Sequence, residues 1–201
     1  LSAAGLAGAF LYISRRPLPQ YAGTLSLPGL QGEVTILRDE HGIPHIYAST
    51  IADLFFAEGV IHAQDRWWQM EFFRHVGNGS IQELTGKTAS LAGTDIFIRT
   101  VGWRRSAERE VAELDEVTLS YLQAFADGVN AYISNRAPGD LAFEYNVLGL
   151  TGVTFDIQPW TPMDTLVFAK IMAWDLGNNR SNELERATLY ETLGQEMTDL
   201  Y

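Results

Sequence analysis

Chemistry near neutral pH needs a nucleophile, a proton carrier or a metal ligand, and few side chains in this sequence qualify. Four histidines, His41, His45, His62 and His75, are the candidates for metal ligation. His41 and His45 flank a turn, while His62 and His75 fall in helical stretches; a metal site built from them competes with ordinary structural roles. No cysteine is present, so thiolate nucleophiles, thiolate metal sites and disulfides are excluded. Gly77-Asn78-Gly79-Ser80 is not a Gly-x-Ser-x-Gly nucleophile elbow. Phosphate-binding, dinucleotide-binding and His-Glu-x-x-His patterns are also missing. Asp65, Arg66 and Glu71 are charged residues among apolar ones, and we expect them in buried structural pairs rather than in catalysis.

The elements that must position these residues alternate between a short β opening and a long helical remainder. Residues 33–38 alternate polar and apolar side chains as a strand does, His41-Gly42-Ile43-Pro44 makes a turn, and residues 45–48 form a second short strand. Helical spacing follows over 52–63 and 65–76. Gly77 to Ser80 breaks it, and a short helix starts at Ser80. The clearest helix covers 115–135, with Leu119, Leu122, Phe125, Val129 and Ile133 on one face and Asp115 as its N-cap. Pro159-Trp160-Thr161-Pro162 starts another. Thr161 caps it, Pro162 takes the first helical position and Asp164 completes a capping box. That helix runs to about Leu176 and stops at Gly177-Asn178-Asn179, and a last one covers about 182–193 and closes at Gly194. Two strands alone do not make a stable sheet, so they are expected to pair with strands in another chain.

Composition narrows the partners. The 201 residues are 46% hydrophobic, enough for one sizeable core, and carry a net charge of −11, which repels phosphate backbones and excludes nucleic acid as a partner. The doublets Phe55-Phe56, Trp67-Trp68 and Phe72-Phe73 suggest apolar surface that continues into a partner chain. Residues 1–13 are apolar or small and are followed by Arg15, Arg16 and Pro17. The stretch is too short to span a bilayer, which needs about 20 residues. It is either a remnant of a signal or membrane anchor, with membrane association through residues 1–13, or a buried or interface helix. Three segments follow: an apolar N-terminal helix over 1–16, a Pro-, Gly- and Ser-rich linker over 17–32, and a domain over 33–201.

The string from Val34 through Arg38-Asp39-Glu40-His41-Gly42-Ile43-Pro44-His45 to Ala48 closely resembles the start of the α subunit in the penicillin acylase family of N-terminal-nucleophile hydrolases. The resemblance continues through His62-Ala63-Gln64-Asp65-Arg66, Gln69-Met70-Glu71 and Gly79-Ser80. It returns at Ala126-Asp127-Gly128-Val129-Asn130-Ala131-Tyr132, Pro159 to Asp164, Met172-Ala173 and Glu183-Leu184. About 150 residues fall in the family's order, and the ordered set is specific where no single piece is.

The resemblance implies an α+β fold: the α-chain part of an αββα sandwich, mostly helical, with its few strands pairing with a larger β chain cut from the same precursor. It implies hydrolysis of a linear amide between an acyl group and an amine. The nucleophile is then the first residue of the β chain, normally Ser, activated by its own α-amine. No catalytic residue is expected in this chain, whose length and stop at Tyr201 match an α chain. Candidate substrates are phenylacetyl or aliphatic penicillins, acyl-homoserine lactones and other N-acyl amides. The resemblance places Met172 against the acyl group and Leu176 where relatives often carry an aromatic gate. On spacing alone these two are equally readable as core residues one turn apart. Asp175, where a well-known relative has an arginine nearby, would repel a carboxylate-bearing leaving group. Glu183 matches a carboxylate that helps hold a structural Ca²⁺ shared with the β chain; otherwise it is an acidic residue favoured in a helix's first turn. The family also implies an exported protein: periplasmic, extracellular or membrane-anchored. A reading of a different class is a non-catalytic, membrane-associated binding module built on residues 1–13 and the aromatic doublets.

Overall fold

The computed structural model describes residues 3–177 and 179–200. The first two residues of the apolar N-terminal run, Asn178 of the expected helix stop, and Tyr201 lie outside the described residues.

The β opening forms as expected. β1 (Thr35–Arg38) pairs antiparallel with β2 (Pro44–Tyr47), with Ile36 opposite Ile46 and Leu37 opposite His45. Asp39 closes the turn by accepting from the backbone N–H of His41 and of Ile43, both at 2.9 Å, while Gly42 supplies φ +77°. The Ile43 bond holds the Asp39 carboxyl below the ordinary carboxylate range. Ile36 and Arg38 turn toward the body, and Leu37 and Tyr47 stand out in solvent. These two are the only strands among the described residues.

α2 (Ile51–Asn78) is the axis of the fold. Thr50 caps it, its hydroxyl accepting from Asp53 N at 3.0 Å, and Gly79 ends it in the left-handed region with φ 64°. The two helices expected at 52–63 and 65–76 are one helix kinked at Arg66 (φ −138°, ψ 20°). Asp65, just before the kink, pairs with Arg38 through two bonds of 2.8 and 2.9 Å, which ties the hairpin to the helix. The expectation of buried pairs is met in part: Asp65 is paired but only half-buried, and Arg66 is exposed.

α6 (Glu116–Ile133) crosses α2 at close range. Asp115 caps it, accepting from Thr118 N at 2.9 Å. The crossing is possible because Gly59 and Gly128 face each other's helix: a Cβ on Gly59 would overlap the Phe125 carbonyl, and one on Gly128 the Phe56 carbonyl. Around it lies the main core of Phe56, Val60, Trp67, Val129, Tyr145 and Trp160.

α3 (Ile81–Thr85), α4 (Ala89–Val101) and α5 (Trp103–Glu113) follow α2, and α7 (Pro138–Leu141) and α8 (Phe143–Gly149) follow α6. The sequence reading anticipated α3 but not α4, α5, α7 or α8. α9 (Pro162–Leu176) packs on α2, α5 and α6, and α10 (Arg180–Leu193) and α11 (Gln195–Thr198) close the chain.

α1 (Ala3–Arg15) touches the body mainly at α8, and Arg16 forms an ion pair with Asp140. The stretch read as a linker follows the body. Leu27 and Leu30 pack on the core, Gln31 N donates to Asp53 at 2.8 Å, and Gln64 donates to Gln20 O at 2.9 Å.

The aromatic doublets pack within this chain: Trp67 and Phe56 are buried and Phe72 stacks edge-on against Phe73. Exposed apolar side chains lie elsewhere, among them Ile96, Phe97, Trp174, Leu176, Leu184 and Leu193, so the doublets do not mark surface that continues into a partner.

Candidate functional site

α9 is set by its first turn. Thr161 N donates to Asp164 Oδ2 at 2.8 Å and the Thr161 hydroxyl to the same oxygen at 2.7 Å, with Pro162 at the first helical position. Asp164, Val167 and Ile171 are its buried face. On one flank of that face, Thr165, Phe168, Met172 and Leu176 follow at three- and four-residue steps and form one stripe.

The stripe begins in an apolar groove of about 320 Å³ between α2, α6 and α9, walled by Phe55, Tyr121, Phe125 and Phe168. The Thr165 hydroxyl in this groove is engaged by Trp160 Nε1 at 2.9 Å. Phe168 packs edge-on against Phe73, with centroids 5.4 Å apart. One turn on, Met172 is half-buried, and a turn further Leu176 is 78% exposed at the helix end. Asp175 is exposed beside it. Trp174 points to the opposite flank, against Phe97 and Trp103. The fold thus brings Met172 and Leu176 onto one face of α9, and one and two turns back on the same stripe Phe168 lines a groove that sequence reading missed. The missed signal is the same spacing read two turns further back, at Phe168 and Thr165.

Glu183 stands in the first turn of α10, exposed, its Oε1 accepting from Asn179 Nδ2 at 2.8 Å. No group of three or more His, Asp or Glu is placed to hold a metal among the described residues. An exposed carboxylate with room around it is chemically suited to be one ligand of Ca²⁺, which takes six to eight oxygens, so the others would have to come from outside these residues. α10 has no buried side chain.

The histidines are dispersed. His45 lies 3.4 Å from Asp39, His62 4.0 Å from Glu58 and His41 3.7 Å from Glu40, all at exposed positions. His75 is different. Its Nε2 is 3.4 Å from Glu71 and its Nδ1 3.0 Å from the Ser80 hydroxyl, beside a cleft of about 590 Å³. Ser, His and acid are therefore in line, a constellation that sequence reading did not assemble, although Glu71, Arg74 and His75 are spaced three and four residues apart.

The surroundings do not suit acyl transfer. Ser80 is 9% exposed, and the backbone N–H groups of Ile81 and Gln82 that could hold an oxyanion already donate to Asp95. Glu71 is buried against Arg74, and Arg74 donates to the carbonyls of Gln158 and Pro159 at 3.0 and 3.1 Å. This network fastens the segment that leads into α9. Nearby, burial raises the Tyr145 phenol above its ordinary pKa, and the neighbouring Glu71 charge adds to this. The Tyr145 hydroxyl accepts from Trp67 Nε1 at 3.1 Å.

Comparison with known proteins follows the same elements. The family model described as Penicillin amidase matches residues 33–201. The penicillin acylase 2 proenzyme of Pseudomonas sp. (strain SE83) is 37% identical over 161 residues, covering 80% of this chain and 20% of its own length. Penicillin G acylase of Escherichia coli is 35% identical over 176 residues, covering 84% of this chain and 20% of its own. Acyl-homoserine lactone acylase QuiP of Pseudomonas aeruginosa is 30% identical over 198 residues, covering 96% and 22%. Among solved structures, the thermostable penicillin G acylase from Alcaligenes faecalis superposes with a TM-score of 0.63 at 27% identity, over 84% of this chain and 88% of that one. The chain spans about a fifth of the length of the curated relatives it matches.

Proposed function

Because this chain belongs to the penicillin amidase family, we propose that it is the α-chain part of a heterodimeric amide hydrolase whose nucleophile lies on a larger β chain from the same precursor. The reaction is cleavage of a linear amide between an acyl group and an amine. The N-terminal Ser of the β chain attacks the carbonyl, its α-amine taking the hydroxyl proton. The amine leaves, and water releases the acid from the acyl-enzyme. The observation that carries the reading is the family match across residues 33–201, which includes α9 and its open apolar stripe.

In this reading α9 supplies one wall of the acyl site. Met172 lies against the acyl group, Leu176 stands at the mouth, and the groove at Phe168 takes the end of a long chain. Asp175 stands on the amine side and disfavours leaving groups that carry a carboxylate. These two features favour one alternative within the family, an acyl-homoserine lactone acylase: a long aliphatic acyl chain suits the groove, and a lactone amine brings no carboxylate. Glu183 contributes one ligand to a structural Ca²⁺ completed by β-chain oxygens, which ties the two chains together. The free backbone edges of β1 and β2 are where β-chain strands add, and Leu37 and Tyr47 stand on the hairpin's exposed face. The protein is exported.

The test is to express the whole precursor with a tag on this chain. A copurifying chain of several hundred residues that begins with Ser, Thr or Cys, together with hydrolysis of N-acyl amides, supports the reading. A chain that purifies alone, or a complex inert toward phenylacetyl and aliphatic amides alike, overturns it.

A further inference from the structure

The proposed reaction leaves α1 unused, and its described apolar side chains are largely exposed. All side chains of residues 7–12 are exposed, with Phe10 63%, Leu11 50% and Tyr12 66% accessible. Residues 3–14 include no charged side chain. Consecutive residues on a helix point about 100° apart, so Phe10, Leu11 and Tyr12 cover roughly 200° of its circumference. A helix that docks in a protein groove carries one apolar stripe and a polar back; one that is apolar on most sides needs an apolar medium. The polar groups fit the same medium. The Ser14 hydroxyl donates to Leu11 O of its own helix at 3.2 Å, and Tyr12, Arg15 and Arg16 cluster at one end. Arg16 is clamped to Asp140 of the body, while Arg15 in the last turn is exposed.

We propose that α1 inserts into a lipid bilayer, with Tyr12 and Arg15 at the level of the headgroup phosphates and the folded body on the aqueous side. The thirteen residues of α1 rise about 20 Å, which reaches well into the roughly 30 Å of hydrocarbon. No helix of the described residues is long and apolar enough to cross. Arg15 meets lipid phosphate by charge complementarity, and Tyr12 is a residue type enriched at that depth. The chain carries a net −11, so attachment rests on the apolar term and is no stronger on anionic lipid than on zwitterionic lipid.

The experiment uses the processed protein made from the whole precursor, first weighed by intact mass and then floated with phosphatidylcholine vesicles. The parent chain retains residues 3–16 and floats with the lipid at both low and high salt. The Phe10→Asp/Leu11→Asp double variant partitions at least about tenfold less, while its unfolding temperature without lipid equals the parent's, because neither side chain supports the core. The proposal is overturned if the parent stays in the aqueous layer at lipid excess, or if the double variant floats equally. It is also overturned if the mature chain lacks this helix. Two further outcomes assign α1 to another occupant: a lipid-free dimer that the double variant dissociates means a second copy, and failure of the double variant to retain the β chain means the partner chain.

Discussion

Asn130 grips the backbone of Trp160 from both sides, its Oδ1 accepting from Trp160 N at 2.7 Å and its Nδ2 donating to Trp160 O at 2.9 Å. Trp160 immediately precedes Thr161, the cap of α9, so one side chain on α6 fixes where α9 begins. Asn130→Ala leaves a Trp160 N–H without this partner and should cost about 2 kcal/mol in urea unfolding of the assembled protein. Asn130→Asp keeps the acceptor and should lose less.

The contact between Gly128 and the Phe56 carbonyl leaves no room for a methyl group. Gly128→Ala should force α2 and α6 apart and cost about 3 kcal/mol or more, above the usual range for one added carbon in a core because the obstacle is backbone. Thermal unfolding of the assembled protein measures it. A value below about 1 kcal/mol would mean the helices slide without penalty.

Leu176→Phe should shorten the acyl site. Each methylene accommodated is worth roughly 0.8 kcal/mol, so kcat/KM for long acyl chains should fall by about 1–3 kcal/mol relative to short ones on one neutral amine. Phe168→Trp should act only on the longest chains, since it fills the far groove. Asp175→Asn should raise kcat/KM for carboxylate-bearing amines and leave neutral ones unchanged. Chain-length preference untouched by Leu176→Phe would return this residue to simple surface.

Glu183→Ala should weaken calcium retention through dialysis, read by elemental analysis of parent and variant. Equal calcium in both, or none in either, would reduce Glu183 to a first-turn acidic residue hydrogen-bonded to Asn179.

Residues 1–201 expressed without the β chain should lack a cooperative thermal transition, because Leu176, Leu184, Leu193 and Ile96 are more than half exposed and the hairpin has no sheet to join. A soluble monomer with a sharp transition would sink this.

Local signals carried much of the fold. Asp115, Thr161 with Asp164, and Gly194 marked α6, α9 and the end of α10 because caps and stops are decided within a few residues. α4 and α5 were illegible for the opposite reason. They bury few residues, Asp95 and Ile98 in one and Ala107 in the other, and α4 leaves Ile96, Phe97 and Val101 exposed, so burial there follows no cap or stop. The kink at Arg66 looked like a helix boundary, since the tie of Asp65 to Arg38 is a long-range contact that no local pattern encodes. The site divided likewise. Met172 and Leu176 sit at helical spacing and fall together, but the groove that Phe168 shares with Tyr121 and Phe125 needed the α2–α6 crossing to be known. Glu183 and its surroundings stay half-written here, as one carboxylate on a helix with nothing buried.

That last helix has a consequence for the life of the chain. α10 contributes no side chain to the interior and packs chiefly on α11, so it can open without disturbing the α2–α6 core. On the proposed two-chain reading, a copy that has not met its partner would offer α10 to proteases as a first cut, and degradation would keep the two chains in equal number if the partner covers that helix.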